Sequence, residues 1–380
     1  MQGFGRSDVH LGNWRTRPYN TWAFCHVGEI VPSARIHAEP AQPAANLPAD
    51  PAFLARKVAL DGGEESVQSF LTRSETDILL VKRDGRTLAQ WHAPHAEPAL
   101  PHILFSVTKS ITGLLCGMAQ EMSLLDPDRP VGDYLPETRA GAYGDCLVRH
   151  VLDMRVSLDF EESYLDKTGG YARYRRAVLW NPAEPAEPVE GLRIFLNRVG
   201  KAAHPHGGPF AYLSPNSDML GLLLEQVTGE RYADFIARCL WQPMGAMDDA
   251  FMTVDAFGVP RGAGGLSCSA RDLARIGELM LEPGDVLSER WVAETWISGD
   301  RQAWEAGDFR DFIPGGAYAN QWYLMPPPAD ALLAVGIHGQ FLYIHRPTRT
   351  VIVKMASQNL PQDSSLDAAN LQFLHQLTLL

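Results

Sequence analysis

The sequence predicts an α/β fold of the α+β type, with a central antiparallel sheet drawn from both ends of the chain and a mainly helical segment between them. Three observations predict it. Asp77-Ile-Leu-Leu-Val-Lys and Thr87-Leu-Ala-Gln-Trp flank Asp84-Gly85, two apolar runs joined by a turn dipeptide, which is a hairpin signal. Near the other end, Leu332 to Ile344 and Thr350 to Ser357 flank Pro347-Thr348-Arg349 as a second hairpin, bulky throughout. In the middle, Val107, Ile111, Leu114, Leu115, Met118 and Met122 recur at helical spacing.

The elements follow in chain order. Residues 1–50, rich in Trp, Pro and Gly and running into the Pro/Ala stretch Pro40 to Pro51, read as an arm packed on the sheet domain. Residues 51–105 and 255–380 form that sheet domain and residues 106–254 the mainly helical one, with a cleft between them. Asp218 to Val227 and Tyr232 to Leu240 are helices separated by Gly229. Asn181-Pro-Ala-Glu-Pro-Ala-Glu-Pro is a Pro-spaced, exposed loop. Ala270 to Leu281 is a helix with Ser267 or Ser269 as its cap, and Leu366 to Leu380 is a last helix.

Composition narrows the function. Thirty-three Lys and Arg against 45 Asp and Glu give a net charge of −12, which argues against nucleic acid and anionic membranes as partners. The first 25 residues hold no apolar core, and no stretch approaches 18 uninterrupted apolar residues, so neither a secretory signal nor a membrane span is expected. The five cysteines are odd in number, far apart and without a CxxC pair, as for reduced thiols in a cytoplasm. No histidine pair has metal-ligand spacing and no phosphate-binding glycine motif occurs, so neither metal nor cofactor is expected.

Ser106-Val107-Thr108-Lys109 carries the chemistry. A serine hydroxyl needs a base to become a nucleophile at neutral pH. A lysine three residues on lies one helical turn away on the same face, and burial lowers a lysine toward neutrality. The chain has six lysines, and only Lys109 has serine at that spacing. About 0.3 such matches would arise by chance at ordinary serine usage, so the motif alone is also compatible with a helix-capping serine and a solvated lysine. Tyr212, in a loop before another apolar helix, stands where it could relay a proton to a leaving group, or could simply pack. Gly336-Ile337-His338-Gly339 lies inside a strand-like run, where glycines suggest close backbone approach and an edge strand could offer an N–H to an oxyanion.

Taken together, these stretches resemble the penicillin-recognising serine hydrolases, which include class C β-lactamases, DD-peptidases and related esterases. Within that superfamily the chain is most similar to the 6-aminohexanoate-dimer hydrolase (nylon oligomer hydrolase) group. The shared stretches begin with Trp22-Ala-Phe-Cys-His-Val-Gly-Glu and Ser106-Val-Thr-Lys-Ser, and continue through Tyr212-Leu-Ser-Pro-Asn-Ser-Asp, Gly264-Gly-Leu-Ser-Cys-Ser-Ala-Arg-Asp and Gly336-Ile-His-Gly-Gln. The resemblance implies a β-lactamase/DD-peptidase-like fold. It also implies Ser106 as acylated nucleophile, Lys109 as its base and Tyr212 as proton shuttle. The backbone N–H groups of Ser106 and Ile337 match the oxyanion hole, and Tyr164 matches a tyrosine that touches the scissile amide.

Two departures bear on substrate. Where the group's efficient amide hydrolases carry an acidic residue that grips an ammonium, spacing puts Arg175, within a basic run that includes Arg173 and Arg176. Where they carry asparagine, this chain has Ala263. On that reading Arg175, Ala263 and His338 are substrate-binding positions, a cationic substrate end is repelled and a carboxylate welcomed. Lys167-Thr168-Gly169 spells the β-lactamase triad but precedes Tyr212; the counterpart position is Ile337-His338-Gly339, without lysine or threonine.

The expected activity is a carboxylesterase on short acyl esters, acting through an acyl-enzyme. The alternatives are an amidase on linear amides such as 6-aminohexanoate oligomers, and a non-catalytic homologue that binds a ligand or peptide. The partner expected is a small-molecule ester or amide, with a homodimer left open.

Overall fold

Seven strands from the two ends of the chain form one antiparallel sheet in the computed structural model, which describes residues 3–39, 50–185 and 188–380. Most of the Pro/Ala stretch and residues 186 and 187 of the Pro-spaced loop therefore lie outside the described residues. The strands are β1 (Thr76–Arg83), β2 (Arg86–His92), β3 (Ala317–Ala319), β4 (Trp322–Leu324), β5 (Ala331–Gly336), β6 (Gln340–His345) and β7 (Thr350–Ala356). Their order is β3-β4-β5-β6-β7-β1-β2, so the β7–β1 pair, with Val353 opposite Leu80, joins the two ends of the chain.

Alternation sorts the side chains of these strands onto two faces. Leu79, Val81, Phe341 and Ile352 pack with Phe70 and with Phe373 of the last helix, whose rings stack at 4.0 Å. Ile78, Leu80, Leu342 and Val353 face the other way and pack with Leu273 and Ile276. Both faces are covered, which is why β1 reads as a continuous apolar run.

Five helices matter for the site: α1 (Val107–Glu121), α2 (Gly170–Ala177), α3 (Ser214–Thr228), α4 (Ala270–Leu281) and α5 (Ser364–Leu377). Gly229, at φ +67°, ends α3 in the left-handed conformation that glycine adopts without strain. Of the two candidate caps for α4, Ser269 is the one that accepts a bond from the Asp272 N–H, at 3.3 Å. No helix among the described residues is long and apolar enough to cross a membrane.

Two features differ from the sequence reading. The bulky run from Leu332 to Ile344 is not one strand but two, β5 and β6, folded back on each other with Gly336 opposite Gln340. His338 at φ +61° and Gly339 at φ +85° make the reversal, and a left-handed histidine leaves no periodicity to read. A second sheet of four short strands, ordered Ser33–Ile36, Ala250–Thr253, Leu266–Cys268, His102–Ile103, was not anticipated. Strands of two to four residues are too short to show alternation. This small sheet anchors the arm and delivers the chain to Ser106.

Lys354 on β7 is fully buried, and its Nζ has no hydrogen-bond partner. Burial brings its ammonium down to about 7. Lys354→Met is expected to raise stability near neutral pH by about 1–3 kcal/mol, the cost of an unpaired buried polar group. The sign follows from proton counting. Between about 7 and the ordinary lysine value near 10.4, the unfolded chain holds the proton that the folded chain lacks, so stability rises with pH. In the variant that rise should shrink in urea titrations across this window.

Candidate active site

Phe105 sits at φ +45°, between the strand His102–Ile103 and α1. A bulky residue in that region costs on the order of 1–3 kcal/mol and persists only where its surroundings hold it. Here Phe24 crosses its ring at 5.0 Å, Trp180 at 5.7 Å and Trp14 stacks at 6.2 Å. Phe24 and Trp14 come from the N-terminal arm, so the arm walls in the turn that aims Ser106. Gly336 completes the fit: a Cβ there would collide with the Leu104 carbonyl oxygen. The close approach suggested by the glycines is that of β5 to the residue two before Ser106.

Ser106 opens α1 without capping it, because its side chain makes no bond to the first-turn N–H groups. Its Oγ instead meets Lys109 Nζ at 2.9 Å. Lys109 is 1% exposed, so a solvated lysine is excluded, and burial brings its amine down to about 7. Lys109 Nζ also lies 3.0 Å from Ser214 Oγ and 2.7 Å from the Ala263 carbonyl.

These neighbours orient the amine. The Ala263 carbonyl can only accept. The Ser214 hydroxyl donates to Glu162 at 2.6 Å, so its oxygen accepts from Lys109. A neutral amine has two N–H groups and one lone pair. Both N–H groups are used, and the lone pair is left facing Ser106 Oγ, where a base must point. Asp218 on α3 fixes the carbonyl from behind: its carboxylate accepts the Ala263 N–H at 2.8 Å and pairs with buried Arg261.

Tyr212 lines the cavity beside Ser106, stacks on Tyr323 at 6.3 Å, and has its ring centre 5.0 Å from Lys109 Nζ. Burial raises its hydroxyl above the ordinary tyrosine range, so it keeps its proton. Ser106, Tyr212, Tyr164 and Ile337 line one cavity of about 360 Å³. Tyr164 donates to Glu162 at 2.9 Å. The arrangement can deprotonate a serine, hold a hydroxyl beside it and admit an apolar chain. Among the described residues, no group of three His, Cys, Asp or Glu side chains could hold a metal ion.

A Beta-lactamase family profile matches residues 67–376. Across 364 residues the chain is 33% identical to the 6-aminohexanoate-dimer hydrolase of Paenarthrobacter ureafaciens, covering 93% of this chain and 90% of that one. The chain belongs to the Beta-lactamase family. It is a serine hydrolase. A Bacillus anthracis structure, provisionally called a 6-aminohexanoate-dimer hydrolase, shares its fold at TM-score 0.86 and 21% identity, over 97% of this chain and 96% of that one. EstCE1, described as a hydrolase with promiscuous acyltransferase activity, superposes at 0.62 and 18% identity, over 80% and 97% of the two chains. A class C β-lactamase from Rhodobacter sphaeroides gives 0.58 at 19% identity, over 82% and 97%.

Three residues read as substrate-binding do not line the cavity. Arg175, on α2, points its guanidinium at the backbone carbonyls of Tyr164, at 3.1 Å, and of Asp166. Those two acceptors hold its guanidinium off the cavity lining, so it makes no direct contact there. Ala263 is 1% exposed and contributes its carbonyl to Lys109. His338 is buried, with Nδ1 2.7 Å from the Gln358 carbonyl and its ring 5.2 Å from Phe24 and 5.3 Å from Phe105. It braces the β5–β6 turn that carries Ile337. The Lys167-Thr168-Gly169 triplet is in a loop, with the Thr168 and Gly169 N–H groups on Asp166.

Sequence reasoning passed over Ser214, Glu162 and Asp218 as participants. The serine two residues past the tyrosine was a visible signal; Glu162 has none, because its role depends on a loop returning to α3. Glu162→Gln tests it. The carboxylate raises the Lys109 proton affinity, so its loss should move the rising limb of kcat/KM against pH to more acid values. A purely structural loop residue would lower the rate and leave the limb in place.

Proposed function

We propose that the chain hydrolyses short acyl esters through an acyl-enzyme on Ser106. The observation that supports this best is the Lys109 lone pair directed at Ser106 Oγ within an apolar cavity. Lys109 takes the serine proton as Ser106 attacks the acyl carbon. Tyr212, which lines the same cavity as Ser106, passes a proton to the leaving oxygen. The backbone N–H groups of Ser106 and Ile337 receive the oxyanion, a contribution worth about 3–4 kcal/mol per donor in comparable sites. Water then attacks the acyl-enzyme by the same route in reverse. Ester alkoxides leave with little protonation, so this set suffices for them.

A second reading, hydrolysis of linear amides, is favoured by the 33% identity to a 6-aminohexanoate-dimer hydrolase. Amide nitrogen must be protonated in a held geometry, so positioning limits that rate. A panel of p-nitrophenyl acetate, butyrate and octanoate beside the 6-aminohexanoate dimer separates the two readings. Ester turnover should exceed dimer turnover, and faster cleavage of the dimer would transfer the assignment to the amidase. Failure of a fluorophosphonate probe to label Ser106 would remove both and leave a ligand-binding homologue.

A further inference from the structure

Arg15, in the N-terminal arm, packs among neutral groups. Its Nη2 donates to Asn181 Oδ1 at 2.6 Å, and its guanidinium lies 4.9 Å from the Trp14 ring centre and 5.8 Å from that of Trp180. Its Nη1 is buried and has no hydrogen-bond partner among the described residues. The charged groups that bear on it are Arg175 and Arg261, both of its own sign.

Those two arginines also keep a spare donor. Arg175, on α2, gives its terminal nitrogens to backbone carbonyls, and its Nε is buried without a partner. Arg261, 4% exposed, pairs with Asp218, and its Nε too is unpartnered. The three guanidiniums share neighbours. Arg261 lies 5.1 Å from the Trp180 ring that Arg15 also faces. Arg175 lies 4.9 Å from the ring centre of Tyr171, whose phenol feels all three arginines. Burial raises that phenol, so it stays neutral and supplies no negative charge. The carboxylates nearby are otherwise engaged. Glu162 is taken by Ser214 and Tyr164, and Asp166 accepts the Thr168 and Gly169 N–H groups.

We propose that a small monovalent anion, of chloride or formate size, binds between Arg15 and Arg175 and ties the arm to α2. A buried guanidinium is rarely left without an opposite charge, and spare N–H groups of charged side chains are the donors such an anion takes. Arg15 is only partly buried, so a small ion can reach it from solvent. None of the three arginines lines the cavity beside Ser106, and the inference stands apart from the hydrolase reading. Trp14, next to Arg15, stacks on Phe105 at 6.2 Å, so the anion steadies the arm where it backs the turn before Ser106.

The test compares sodium chloride and sodium formate with sodium gluconate, whose anion is too large for the site. One ionic strength is used throughout, so general screening is constant. In the intact protein chloride or formate should raise the melting temperature saturably, by about 2 °C or more above gluconate, as a ligand of the folded state does. Arg15→Met keeps the stem against Trp14 and removes the charge, and in it the difference between salts should disappear. Wild-type crystals grown in sodium bromide should show an anomalous peak within hydrogen-bonding reach of Arg15 Nη1. A salt response of the same size in Arg15→Met, or wild-type crystals with no bromide at that place, overturns the inference. The crystal measurement decides it even if Arg15→Met does not fold.

Discussion

Ser106→Ala is expected to lower kcat/KM for p-nitrophenyl butyrate by a factor on the order of 10⁴ or more and to abolish fluorophosphonate labelling, with the melting temperature nearly unchanged. The catalytic loss follows from geometry. Ser106 Oγ is the one hydroxyl that meets Lys109 Nζ, at 2.9 Å, and also faces the cavity. The other hydroxyl on the lysine, that of Ser214, has its proton committed to Glu162 at 2.6 Å and does not line the cavity. It cannot substitute as nucleophile without breaking that bond. The unchanged stability also follows. Ser106 is half-exposed and caps nothing, and substitutions of that kind fall within about ±0.5 kcal/mol. Phe105, whose left-handed backbone aims the serine, keeps its ring contacts with Phe24, Trp180 and Trp14 in the variant. Residual rate enhancement from the oxyanion donors and the cavity is expected to remain. A variant that still turns over at wild-type rate with an unchanged melting curve would remove Ser106 from the mechanism.

The proposed catalytic pair was legible because it is local. Ser106 and Lys109 are one helical turn apart, and the helix that joins them announces itself by apolar spacing. The sheet was legible for the same reason at both ends, where β1 and β2 meet across Asp84-Gly85 and the bulky C-terminal run can only be strands. What stayed hidden depends on contacts between distant segments. Glu162 reaches Lys109 through Ser214, 52 residues away. Asp218 sets the Ala263 carbonyl from 45 residues away. Neither distance leaves a trace in periodicity. Arg175 was misplaced for a related reason: spacing put it at a cleft position, but the side chain's direction is decided by the Tyr164 and Asp166 carbonyls, which spacing does not report. His338 looked like a strand residue because a single left-handed φ, which turns β5 into β6, is invisible in composition.

Lys109 gives the second large effect and the sharper test of mechanism. Lys109→Met should cost nearly as much as the loss of Ser106, and the double variant should be no more than about tenfold worse than either single one, because members of one catalytic unit do not add. Lys109→Arg should fail equally. It keeps a positive charge but cannot give up its proton, so recovery of activity with arginine would mean that charge, not basicity, is what the site needs. The pH profile carries the sign. In the proposed mechanism Lys109 acts as the neutral amine, which burial makes available above about 7. In wild type kcat/KM should therefore rise with pH through about 7, and the rise should vanish with Lys109. A second buried lysine, Lys354, is also brought down to about 7, so the midpoint alone does not identify the base. It lies in the sheet with no hydrogen-bond partner and does not line the cavity. The rising limb should consequently persist in Lys354→Met. A limb that disappeared there instead would place the titrating group behind the cleft wall rather than beside Ser106.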